Sequence, residues 1–179
     1  MNYEDVLSFW FGEVDQSKWW VKDVSFDRLI EEKFSDLHEQ ANKCELFEWR
    51  NSAKGRLAEI IVLDQFSRNI FRDTPKAFSY DQLALALSQE AISLDKHHEL
   101  NEIERSFIYM PYMHSESLII HDVGLELYRN NGIQSNLNFE IRHRDIIVKF
   151  GRYPHRNVIL NRTSTFEELE FLKQPGSAF

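Results

Sequence analysis

Asp64 and Arg68 stand four residues apart in GRLAEIIVLDQFSRNIFR, a segment that is apolar nearly all round. A helix of that composition is buried, and its stripe of Leu57, Ile60, Ile61, Asp64, Arg68 and Phe71 turns an acid and a base inward. An acid one turn N-terminal to a base is the favourable order for a helical ion pair. A charge withdrawn from water needs such a partner. The pattern reads as a structural ion pair, or as one wall of an internal polar pocket. ERSFIYMPYMHSESLIIHDVGLELY shows the same anomaly: its stripe of Ile103, Phe107, Pro111, His114, Leu118, His121 and Leu125 holds histidines seven residues apart, about two turns on one face.

Paired histidines invite a metal, with Glu116 as a third ligand. Residues two apart on a helix lie about 160° from each other around the axis, so His114 and Glu116 point different ways. Neither an HExxH nor a carboxylate-x-x-His spacing occurs in this segment, and those are the spacings that gather ligands on one helix face. No metal is expected on these grounds. His114 and Glu116 suit proton transfer better, with a hydrogen-bonded core histidine as the plainer reading. His143 falls beside Ile146, Ile147 and Phe150 and also faces inward. His97 and His98, in DKHHEL, read as solvated loop residues, and Cys44 as a small buried hydrophobe.

The third source of chemistry is KFGRYPHRNVILNRTSTFEE, Lys149 to Glu168. From Ile141 to Arg162 there are six basic residues and one acid, a local charge of +5 in a chain of net charge −8, so the remainder carries −13. Such an island must be answered by carboxylates elsewhere or by an anionic ligand. Arg152 and Arg156 offer guanidinium forks that fit carboxylate or phosphate oxygens. His155 between them could donate or accept a proton, and Asp64 or Glu116 could orient it. No Gly-x-Ser-x-Gly elbow and no phosphate-cradling glycine loop is present, and the residues name no cofactor. One expectation is an internal site for a small anionic metabolite, with or without catalysis. A second is a scaffold that presents its concave face to a protein or peptide. A third is that the charges only satisfy one another and lock the fold.

The elements that would position these groups read almost entirely as helix. Tyr3, Val6, Leu7 and Trp10 make a first stripe that Gly12 can stop. A second helix runs from about Ser25 to Lys43, with Phe26, Leu29, Ile30, Phe34, Leu37 and Ala41 on one face. A third spans Ser52 to Phe71. Thr74-Pro75 is a start signal, followed by a Leu/Ala-rich run from Tyr80 to Leu94. A long helix covers Glu102 to Arg129, kinked or broken at Pro111. Another spans Phe139 to Phe150, with Gly151 as its stop. The last, Thr165 to Leu172, is introduced by the capping-box spacing Ser164-x-x-Glu167.

That makes an all-α chain of seven or eight helices, with residues 1–179 as a single domain and antiparallel helix pairs as the natural arrangement. Scarce Gly and Pro and few β-branched runs argue against a β fold. The net charge disfavours nucleic acid. No apolar run has membrane-spanning length. A single cysteine and acids in MNYEDVLSFWFG suit a cytoplasmic protein.

LDQFSRNIFR, YMPYMHSES, FGRYPHRNVILNR and STFEELEFL occur in an order that resembles a bacterial family catalogued as domain of unknown function 924, and SFWFG and KWWVKD fit its opening. The likeness runs over essentially the whole chain. It implies a helical domain similar to the tetratricopeptide-like α/α superhelices, and it carries no activity. By that resemblance the polar positions in play are Asp64, Gln65, Arg68, Asn69, His114, Glu116, His143, Arg152, His155, Arg156 and Asn157. His121 stands where the family has Gln. Asn161 stands where Gly is usual, so the turn after Leu160 would draw on asparagine's tolerance of left-handed backbone.

Overall fold

A computed structural model describes residues 1–178, and every regular element among them is helical. Helix α1 (Tyr3–Ser8) is opened by a reciprocal cap between Asn2 and Asp5 and continues through a π-type turn, Phe9–Glu13. Its stop therefore falls just beyond Gly12. Helix α2 (Val24–Asn42) starts at Asp23, whose carboxylate accepts from the Ser25 and Phe26 amides. It buries Phe26, Ile30, Phe34, Leu37 and Ala41; Leu29, expected on that face, is 46% exposed.

The centre of the fold is α3 (Ala53–Ile61), a π-type turn (Val62–Phe66) and α4 (Ser67–Ile70). Every residue from Gly55 to Ser67 is buried, as an all-round apolar sequence requires. Helix α2 packs along the turn and α4, while α1, α5 (Asp81–Ser93) and α6 (Glu102–Met113) pack on α3. Beyond it α6 packs against α7 (Leu118–Asn131), and α7 against α8 (Gln134–Phe150). The main core gathers the inner faces of α1 to α7. A smaller cluster of Ile146, Ile147 and Tyr153, with Phe150 and Phe171, holds the C-terminal segment, including α9 (Phe166–Leu172).

The expected helix over Glu102–Arg129 is two helices. Pro111 lies inside α6, and the chain leaves helical geometry at His114–Ser117, with Ser117 extended. Proline removes a donor and crowds the preceding turn, yet within the last turn of α6 it is accommodated, and the break follows three residues later. The final cap is also displaced by one residue: Thr165 and Glu168 make the reciprocal box, not Ser164 and Glu167. Thr74-Pro75 opens only a short 3-10 turn, Pro75–Phe78. Cys44 is exposed and left-handed (φ 58°), a turn residue instead of a core one. Asn161 adopts φ 53° and Gly151 ends α8 at φ 66°, as their residue types suggest. No described helix is long and apolar enough to cross a membrane.

Candidate functional site

The π-type turn presents Asp64 to the C-terminus of α6. Its Oδ1 lies 2.7 Å from His114 Nδ1 and 3.1 Å from the Arg68 guanidinium, and Gln65 Nε2 donates to the other oxygen. Asp64 is 1% exposed. Burial alone would raise its pKa, but Arg68 and His114 outweigh this, and the carboxyl stays below its ordinary value. An ionised Asp64 requires Nδ1 of His114 to carry the proton. The ring is held neutral, since burial and Arg68 lower its pKa against the pull of Asp64. Nε2 is then a lone-pair acceptor. No hydrogen bond to it is made by the described residues, and the side chain is 16% exposed.

Arg68 spans two acids. Besides Asp64, it lies 3.0 Å from Asp81 in the first turn of α5 and donates to the Asp64 carbonyl at 2.6 Å. Asp81 also meets Arg156, at a long 3.4 Å. Arg156 sits in the Pro154–Arg156 turn and is 6% exposed. Its guanidinium lies between the rings of Phe78 and Tyr153, 4.6 Å from each centre, and donates to the His114 carbonyl at 3.0 Å. Its Nε is buried with no hydrogen-bond partner. Burial lowers its pKa, with Asp81 only partly opposing. This cation is sequestered and incompletely answered.

Asp64, Arg68, His114 and Arg156 thus meet at one place. His155 lies beside them, its ring 5.5 Å from that of Tyr153; burial and Arg156 lower its pKa to about 4. His143 is buried on α8, bonded to the Phe139 carbonyl, and burial lowers its pKa to about 3. Glu116 belongs to a neighbouring group. It accepts both guanidinium nitrogens of Arg162, at 2.7 and 2.9 Å, and the Tyr153 amide at 2.7 Å. Arg152 and Asn157 turn instead to Glu168. The Arg152 pair is two-pronged, at 2.7 and 2.8 Å, and Asn157 donates at 3.3 Å. The helix break separates His114 from His121, which pairs with Glu140 at 2.7 Å, both fully buried, and donates to the Ser115 carbonyl.

Asp81, Arg162, Glu168 and Glu140 complete these groups and were not legible as partners. An acid in a first helical turn, such as Asp81 or Glu168, reads as a dipole complement; only tertiary proximity adds the second role. Two surface cavities lie elsewhere. One of about 530 Å³ is lined by Tyr3, Leu7, Phe11, Lys54 and Glu104 among others, and one of about 170 Å³ by Ser135, Asn138, Phe139 and Arg142.

No curated protein matches the chain. A solved structure, the protein of unknown function ATU0120 from Agrobacterium tumefaciens, superposes with a TM-score of 0.91 at 36% identity, covering 96% of each chain. The family described as bacterial protein of unknown function (DUF924) matches residues 6–176. With the match running over nearly every described residue, the chain belongs to that family.

Proposed function

We propose that the protein binds a small anionic ligand where the Val62–Phe66 turn, α5, the end of α6 and the Pro154–Arg156 turn converge. The observation that carries this reading is Arg156: a buried guanidinium with an unpartnered Nε and one long ion pair to Asp81. Unpaired donors on buried cations are costly, and a carboxylate or phosphate oxygen is their natural complement. Arg68 supplies a second fork. His114, oriented by Asp64 with Nε2 free to accept, is placed as the general base should the ligand react. Arg152, Asn157 and Glu116 serve the reading indirectly, by fixing the segment that carries Arg156.

The test is a calorimetric and thermal-shift titration with inorganic phosphate and with small dicarboxylates. At least one such anion should stabilise the wild-type chain. Arg156→Lys should weaken it by about tenfold or more, since an ammonium loses the two-pronged fit. A scaffold for a protein or peptide, with its buried charges purely structural, is the competing reading. It predicts no response to any of these anions, or equal responses in wild type and variant.

A further inference from the structure

Asp95, His97 and His98 lie at the end of α5 away from Asp81, about 20 Å along the helix from the site above. Each offers a ligand atom, and these atoms lie within 4.8 Å of one another. Tetrahedral binding at the usual zinc distances sets ligand atoms about 3.4 Å apart, so side-chain rotation need close only about an ångström. Asp95 precedes the Lys96–Glu99 turn but makes no capping bond to it; its carboxylate lies 2.8 Å from His98 Nδ1 instead. Both side chains are well exposed, which leaves them free to move and leaves coordination positions open to water.

The independent observation is His97. It is 7% exposed, and its Nδ1 is buried with no partner among the described residues. Its ring centre lies only 4.0 Å from that of His98, which puts the unsatisfied ring at the cluster. The turn is braced from behind, where Arg105 donates to the carbonyls of His97 and Leu100 at 3.2 and 2.9 Å. Buried polar atoms without partners are rare and call for a missing ligand or a functional reason.

We infer that Asp95, His97 and His98 form a binding site for a first-row divalent cation that prefers imidazole and carboxylate, such as zinc. Two imidazoles and one carboxylate, with further positions open, is a donor set for such ions and a poor one for magnesium or calcium. Binding through Nδ1 gives His97 the partner that the fold withholds.

The experiment titrates the full chain with Zn²⁺ alone, by calorimetry and by competition with a chromophoric chelator, and records the visible spectrum of the Co²⁺ form. Wild type should bind one equivalent. His98→Gln and Asp95→Asn, both at exposed positions that leave the fold intact, should each weaken binding by about tenfold or more. Cys44→Ser should leave the affinity unchanged, as should His114→Gln. Absence of one-equivalent binding in wild type, or equal affinity in His98→Gln, overturns the inference. So does a Co²⁺ spectrum that changes in Cys44→Ser.

Discussion

His143 and His155 are held neutral inside the protein, and that makes stability depend on pH. Burial lowers the first to about 3, and burial with Arg156 beside it lowers the second to about 4, against an ordinary 6.5. Between those values the unfolded chain binds protons that the folded chain refuses, so stability falls as pH drops through the window. Each histidine should cost on the order of 2 kcal/mol between pH 7 and pH 5. The carboxyl of Glu140, raised by burial, has the opposite sign. The measurement is therefore comparative: urea unfolding at both pH values for wild type and His143→Gln. The variant should lose less on acidification; an unchanged difference would show that His143 is already protonated or exposed in the folded state.

At the scale of elements, the entry to α3 is fixed by contact and not by propensity. A Cβ on Gly55 would meet the Trp49 carbonyl oxygen at 2.1 Å, while the Gly55 amide donates to the Ser52 cap at 3.0 Å. In an isolated helix Gly→Ala is worth about 1 kcal/mol of stabilisation. Here the collision should reverse the sign, and Gly55→Ala should destabilise by about 2–3 kcal/mol in denaturant unfolding. A stabilised variant would mean that the Phe47–Asn51 turn does not press on α3. The same logic explains α6 and α7. Periodicity continues through HSES, and only the extended Ser117 reveals that the two helices turn against each other.

Across the whole molecule, two-pronged ion pairs tie the C-terminal segment down. Glu168 is 2% exposed and holds Arg152, Asn157 and the Thr165 amide together; the Arg152 hydrogen bond lowers its pKa to about 2. Glu168→Ala leaves these donors without their acceptor and should cost about 2–3 kcal/mol, at or below the lower end for a broken buried pair because Arg152 keeps partial access to water. Hydrogen exchange should show α9 and the Pro154–Arg156 turn opening below the global unfolding free energy. If exchange rises uniformly over α1 to α8 as well, the segment is part of one cooperative unit and the lock is misassigned.

The amino-acid sequence by itself determined the helices and their inward faces, because apolar periodicity and caps are local properties of the chain. It also marked Asp64, Arg68 and His114 as out of place, since buried charge stands out against an apolar stripe, and Arg156 as part of a basic island in an acidic chain. Which charge meets which was decided only by the tertiary structure. Asp81 joins Arg68 to Arg156, Glu168 takes Arg152, Glu116 takes Arg162, and the break after α6 parts His114 from His121. His97 and Cys44 exchanged their expected burial for the same reason. Ion-pair partners and solvent exposure depend on distances between segments far apart in sequence, and neither periodicity nor spacing encodes those.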